Sequence, residues 1–259
     1  MQTAKKSMLE ICSIASGSNG NCYYIGNNSD AVLIDAGIST KQILLRMAER
    51  SLDPQKIKAL FITHEHSDHL RGARVLAKRL QIPVYMTAKT FNSSYKNLRP
   101  YYPTFFKPDD VIEVGEFTVF PVLKNHDAAE PCSFRVQYKH QNIGVFTDIG
   151  EACDNVRGHL VHCDALFLES NYDEKMLWAG HYPWHLKRRV ASNIGHLSND
   201  QAFELLSEFA GEKLKCVFLS HISRDNNTHE KAFEALHKLS SKYVIKIASR
   251  YEASEVCRL

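Results

Sequence analysis

Apolar residues recur along the chain in two rhythms, one near a spacing of two and one near 3.6, and these divide it into strands and helices. "LEICSIA" (9–15), "CYYIG" (22–26) and "AVLIDAG" (31–37) read as successive strands, with the turn-rich "SGSNGN" (16–21) between the first two. "STKQILLRMAER" (39–50) has helical spacing behind a Ser/Thr cap. "IKALFIT" (57–63) reads as strand, "SDHLRGARVLAKRL" (67–80) as helix and "IPVYMTA" (82–88) as strand. From Phe117 to Asp148 the pattern is again β, in "FTVFPVL", "CSFRVQY" and "NIGVFTD". The tail alternates strand and helix: "ALFLES", "SNDQAFELLSEFA", "KCVFLSH", "HEKAFEALHKLSSK" and "YVIKIAS". A meander followed by α/β alternation therefore occurs twice, which predicts a layered α/β sandwich with two sheets between helices. No linker or short repeat interrupts it, so a single domain over 1–259 is expected.

Composition narrows the picture. A chain of 259 residues with 44% hydrophobic content suffices for one substantial core. The net charge of +3 does not by itself require a polyanionic partner, although "HLKRRV" (185–190) and "LRGARVLAKRL" (70–80) concentrate cations. The seven cysteines are odd in number, scattered and never spaced CxxC, so reduced thiols are expected rather than a disulfide framework or zinc ribbon. No stretch has the length of a signal peptide's apolar core or of a membrane span, and a cytoplasmic protein with no membrane partner is expected.

Candidate chemistry is concentrated in "FITHEHSDHL" (61–70), where three histidines, a glutamate and an aspartate follow an apolar run. The run is a strand and the helix begins near Asp68, so His64, His66, Asp68 and His69 gather around one loop; His64 and His66, two apart in extended backbone, point the same way. This HxHxDH spacing fits two adjacent metal sites. Imidazole suits zinc, iron or nickel, and carboxylates extend the range to manganese. Other ligand types end other apolar runs: Asp35 after "AVLI", His126 after "FTVFPVLKN", Asp148 after "IGVFT" and His221 after "CVFLS". Alone, each is an ordinary turn residue; four endings complementing HxHxDH form a ligand set.

These residues, in "LIDAG", "THEHSDH", "NHDAAEP", "FTDIG" and "LSHIS", resemble the metallo-β-lactamase fold superfamily. The resemblance implies a four-layer αββα sandwich holding two divalent metals. His64, His66 and His126 would bind one, Asp68, His69 and His221 the other, with Asp148 bridging and Asp35 behind the ligands, orienting them. The superfamily's β-lactam-opening enzymes typically carry cysteine where Asp148 stands, so aspartate points to a phosphodiesterase or thioester hydrolase. Two cations roughly 3.5–4 Å apart suit a bridging hydroxide attacking phosphorus in line. "IGHLSN" resembles the "GHS/T" segment of tRNA 3′-processing nucleases, in which the histidine is a general acid paired with a strand-end glutamate. Here that implies a dyad of His196 and Glu169, the carboxylate orienting the imidazole and keeping a proton available near neutral pH.

A narrower resemblance, in "SIASGSNGNCYYI", "HDAAEP", "YPWHLKRRVASNIGHLSN" and "LSHISRDNN", is to the YycJ/WalJ-like bacterial branch. It implies metal-dependent 5′→3′ exonucleolytic degradation of DNA, with Asp68, Glu169 and His196 serving catalysis and zinc or manganese as cofactor, without an organic cofactor. Only 47 residues separate Asp148 from His196, too few for the inserted domain of β-CASP nucleases. "WAGHYPWHLKRR" interleaves aromatics and cations as strand binding requires, and Lys187, Arg188, Asn226 and Asn227 are expected to contact substrate. Two alternatives remain at this level: a small-molecule hydrolase, either cyclic phosphodiesterase or glyoxalase-like thioesterase, and a non-catalytic binding protein, against which the full ligand set speaks.

Overall fold

In the computed structural model, residues 8–259 are described; residues 1–7 lie outside them. Each meander-plus-α/β run folds into one mixed sheet. In the first, β1 (Glu10–Ala15), β2 (Cys22–Gly26) and β3 (Ala31–Ile34) pair antiparallel, and α1 (Thr40–Glu49) crosses to β4 (Ile57–Phe61), parallel to β3. Helices α2 (Ser67–Leu70) and α3 (Ala73–Leu80) lead to β5 (Val84–Thr87), and α4 (Ala88–Ser93) to β6 (Pro103–Phe106), both parallel. The second sheet repeats the plan. β7 (Ile112–Val114), β8 (Phe117–Leu123), β9 (Cys132–Tyr138) and β10 (Gln141–Phe146) are antiparallel. After α5 (Asp154–Leu160) comes β11 (Ala165–Glu169); α6 (Glu174–Ala179), α7 (Trp184–Val190) and α8 (Asn199–Phe209) lead to β12 (Cys216–Ser220), and α9 (His229–Leu236) to β13 (Val244–Ile247), all parallel. A final strand, β14 (Cys257–Arg258), pairs with β1, giving seven-stranded orders β14-β1-β2-β3-β4-β5-β6 and β13-β12-β11-β10-β9-β8-β7.

The burial pattern explains the layering. β2, β3 and β12 are buried at every position, as sheets covered on both faces require. Between the sheets lies an aromatic core in which Tyr23 meets Phe167 (4.8 Å between ring centroids) and Phe61 meets Phe134 (5.4 Å). The opposite face of the first sheet packs Leu33, Leu60 and Ile62 with Ile43 and Met47 of α1 and Leu76 of α3. That of the second packs Leu166 and Val217 with Val156 of α5, Leu205 of α8 and Leu236 of α9. The order is αββα, as the resemblance implies.

Local departures have physical causes. The helix expected over 67–80 is two, because its carbonyls are diverted: Asp68 O accepts from Asn21 N (2.8 Å) and His69 O from Ala36 N (2.8 Å), while Gly72 N donates to Ala36 O (2.7 Å). This interruption fastens the "LIDAG" loop against the HxHxDH loop. Gly37 permits it, since a Cβ there would fall 1.6 Å from the Asp68 carbonyl oxygen. The helix expected over 229–242 ends at Leu236 and continues as a 3₁₀ turn, His237–Leu239.

Candidate metal centre

All the strand-end residues named above converge at the carboxyl ends of the central strands of both sheets. Three take the left-handed backbone conformation there: Asp35 (φ 62°) after β3, Asp148 (φ 55°) after β10 and His221 (φ 54°) after β12. Asp and His tolerate this region better than most residues, but it is sparsely populated and clusters at functional sites. His66 stands at the N-cap of α2 with its side chain making no cap hydrogen bond, so its imidazole is free to face inward.

Two sets of ligand atoms meet around Asp148. His64, His66 and His126 form one, with His64 Nε2 and His66 Nδ1 3.0 Å apart and the His126 ring 4.9 Å from that of His64. Asp68, His69 and His221 form the other, Asp68 Oδ2 lying 3.5 Å from His69 Nε2 and 3.7 Å from His221 Nε2. Asp148 stands between them: Oδ2 is 3.3 Å from His69 Nε2, and Oδ1 is 3.9 Å from His126 Nε2 and 3.4 Å from His221 Nδ1. His126 Nε2, Asp148 Oδ2 and His221 Nε2 are buried and lack a hydrogen-bond partner. Burying such atoms unpaired is costly, and divalent cations would satisfy all three at once; the residues present fit a two-metal site.

A shell of hydrogen bonds aims the rings. Asp35 accepts from His69 Nδ1 (2.7 Å), from Thr63 N (2.8 Å) and from the Thr63 hydroxyl (2.9 Å), and that hydroxyl also meets His64 Nδ1 (2.9 Å). His126 Nδ1 donates to Gly195 O (3.0 Å), which leaves Nε2 as the lone-pair nitrogen. Sequence spacing did not mark several of the supports. Beside Thr63, these are Asn21, whose side chain reaches His69 Nε2 (3.2 Å), Ser16, whose hydroxyl accepts from His221 N (2.7 Å), and Asn171, which donates to His221 O (2.7 Å). The Asn21 and Ser16 signals lay in "SGSNGN", where a tight turn explains the residues equally well.

Glu169, fully buried at the end of β11, receives four donors. Oε1 accepts from His196 Nδ1 and His221 Nδ1, each at 2.8 Å, and Oε2 from Ile149 N (2.7 Å) and Leu197 N (3.2 Å). The dyad of Glu169 and His196 is thus present as a pair, and Glu169 joins it to His221. His196 retains partial solvent access, with 18% of its side chain exposed.

The electrostatics follow from burial set against these partners. Burial raises Glu169, but the adjacent His196 and the imidazole hydrogen bonds overcome it and hold the carboxyl at about 2. Burial also raises Asp148, yet His221 and His69 keep it well below the carboxylate range. His221 is lowered by burial and more than restored by Asp148, Asp68 and Glu169, reaching about 10. His69 is likewise carried well above its ordinary value by Asp148, Asp35 and Asp68. Burial dominates at His126, pushed down to about 3, and at His64, also well below its ordinary value. Without cations, then, the carboxylates hold protons on the very imidazoles that face them.

The expected substrate contacts divide. Arg188 is exposed on α7 beside Trp184, whose ring lies 5.4 Å from that of Trp178. Lys187 and Asn227 depart from expectation. Lys187 is buried with Nζ donating to Trp178 O (2.7 Å), and Asn227 is buried with its amide donating to Ser170 O (3.0 Å) and Asn171 O (3.1 Å); both hold loops together. Asn226 is also buried, its Oδ1 without a hydrogen-bond partner. The seven cysteines are free thiols, five of them buried. Among the described residues no helix is long and apolar enough to cross a membrane.

Comparison with known proteins agrees with this geometry. The family model described as "Metallo-beta-lactamase superfamily" matches residues 15–221. Exodeoxyribonuclease YycJ of Bacillus anthracis is 35% identical over 223 residues, 85% of this chain and 84% of that protein. Exodeoxyribonuclease WalJ of Streptococcus pneumoniae is 33% identical over 225 residues, 85% of this chain and 83% of that protein. The crystal structure of the metallo-beta-lactamase fold protein YhfI from Bacillus subtilis superposes with a TM-score of 0.73 over 97% of this chain and all of that one, at 17% identity.

Proposed function

The chain belongs to the metallo-beta-lactamase superfamily, a hydrolase by its relatives, and from that premise we propose that it is a two-metal phosphodiesterase acting on DNA as a 5′→3′ exonuclease. The observation that carries this reading is Glu169, which fixes an imidazole that can donate a proton and an imidazole that can bind metal through one carboxylate oxygen. The likeness to YycJ and WalJ, which are named exodeoxyribonucleases, supports DNA as the substrate.

In this reading His64, His66 and His126 would hold one divalent cation, zinc or manganese, and Asp68, His69 and His221 the second, with Asp148 between the two sets. Bound there, the cations supply Lewis acidity toward the phosphoryl oxygens and acidify water at neutral pH. The chain's own groups supply the rest. Glu169 holds the Nδ1–H of His196, so Nε2 is the nitrogen that carries a proton to the departing alkoxide. Asp35 and Thr63 fix the rings of His69 and His64, and the Gly195 carbonyl fixes that of His126, so lone pairs need no reorganisation. Trp184 and Arg188 border the same face: α7 ends at Val190, whose carbonyl accepts from His196 N (2.9 Å), and a strand lying along α7 reaches the centre directly.

The need for a proton on an alkoxide, and not on a thiolate, gives the test. His196→Ala should lower turnover of a DNA oligonucleotide by about 10²- to 10⁴-fold with metal content unchanged. Unchanged DNA turnover would refute His196 as the proton donor, and a wild type that leaves DNA intact but cleaves a thioester would place the chain among thioester hydrolases instead.

A further inference from the structure

The modest net charge conceals a strong asymmetry. Residues 70–108 contain eight of the chain's 32 lysines and arginines and none of its 29 carboxylates, so the remainder, with 24 cations, is net acidic. This basic segment forms α3, β5, α4 and the edge strand β6. Arg74 and Lys78, four residues apart, share one face of α3, and Arg71 precedes them ahead of the break at Gly72. The basic stretch begins at the rim of the metal centre, where Arg71 donates to Asn19 O (3.2 Å), two residues from the Asn21 that touches His69.

It ends at a cleft of about 560 Å³ lined by Arg74, Lys78, Tyr101, Tyr102 and Pro103. The Arg74 guanidinium lies 4.1 Å from the Tyr101 ring centroid and Lys78 Nζ 5.7 Å from it. Tyr102 exposes 85% of its surface, and Tyr95, Tyr101 and Phe105 of the same segment are also exposed. Exposed aromatics concentrated this way mark a binding surface more often than chance exposure. Pro103 restricts the backbone of Tyr102 before it, which reduces what ordering that ring on a ligand costs.

Apart from Lys89, which pairs with Glu130 (2.8 Å), the cations of this stretch make no ion pair among the described residues; interleaved with exposed aromatic rings, they match the chemistry of an unpaired nucleic-acid strand: phosphates on the cations and bases on the rings. We propose that the cleft between α3 and β6 is a second nucleic-acid site, which holds single-stranded nucleic acid extending from the metal centre, with phosphates on Arg74 and Lys78 and bases on Tyr101 and Tyr102. It is separate from the α7 face of Trp184 and Arg188, and it rests on the phosphodiesterase reading above.

The test is fluorescence anisotropy with the metal-loaded full chain and labelled phosphorothioate oligothymidylates of increasing length, which resist cleavage, with oligouridylates to distinguish DNA from RNA. Wild type should bind more tightly as length grows. Tyr101→Ala with Tyr102→Ala should cost about tenfold or more on the long strands. Arg74→Glu with Lys78→Glu should flatten the salt dependence by about 1.4, at roughly 0.7 per phosphate contact. Thermal unfolding near that of wild type shows each variant folded. Variants that bind as wild type does overturn this site and leave the nuclease reading standing, with the open β6 edge then a candidate for protein docking. A wild type that binds no strand at any length overturns both.

Discussion

Glu169→Gln is the perturbation that separates a shaped active site from a fortuitous cluster. The carboxylate faces donors on both sides, His196 Nδ1 and His221 Nδ1 at one oxygen and Ile149 N and Leu197 N at the other. An amide cannot meet four donors. If its NH₂ faces the backbone, two N–H groups are left unpaired beside it. If it faces the imidazoles, both rings must protonate at Nε2 to offer Nδ1 as acceptor, and His221 then loses the lone pair that would bind metal. The displacement of Glu169 from an ordinary 4.5 to about 2 is equivalent to roughly 3 kcal/mol of native-state stabilisation. Because the folded value is depressed, that contribution is present above pH 4.5 and lost as pH falls through about 2. Urea unfolding of the metal-free variant should therefore show a deficit of about 3 kcal/mol at pH 7 that shrinks toward acid. Competition calorimetry should show metal affinity reduced about 10- to 100-fold. A variant matching wild type in both measurements would refute the assignment of Glu169 as the group that sets the two tautomers.

Metal-free protein should be most stable near pH 6.5. His221, raised to about 10, stabilises fully below 6.5 and loses that contribution as pH rises toward 10; His126, held neutral down to about 3, costs stability as pH falls from 6.5 because only the unfolded chain takes up the proton. Unfolding midpoints that climb steadily to pH 9 would contradict this. Metal binding should displace protons from His69 and His221, so affinity should rise with pH, and calorimetry in buffers of different ionisation heat should register the release. Heats independent of buffer would count against these ligands. Gly37→Ala should cost about 1–3 kcal/mol, through the clash with the Asp68 carbonyl, and lower metal content, measured by thermal unfolding and elemental analysis. Unaltered metal content would show that the "LIDAG" loop does not position Asp68.

What sequence disclosed and what it withheld follow from range. Strand cores and the ligands ending them were legible because apolar periodicity marks where a strand stops, and a ligand-type residue at that point needs no knowledge of its neighbours. The repetition of meander and α/β gave two sheets and their layering for the same reason. Contacts that depend on distant backbone were not legible. The break at Gly72 exists because Ala36 competes for its N–H, and the pairing of β14 with β1 joins the two ends of the described chain. Lys187 read as a surface cation because charge says nothing of the Trp178 carbonyl waiting for it. Thr63, touching Asp35, His64 and His69 at once, carries no signal beyond being one more polar residue after a strand.

The central claim is that these residues cleave phosphodiesters from a 5′ end with two metals. It is tested most directly by metal-reconstituted protein acting on linear duplex DNA carrying a label on one strand, with Asp148→Ala alongside. The account predicts progressive shortening from the 5′ end by the wild type and none by the variant. Intact DNA in the presence of protein shown to hold two metals, or shortening that survives Asp148→Ala, would contradict it.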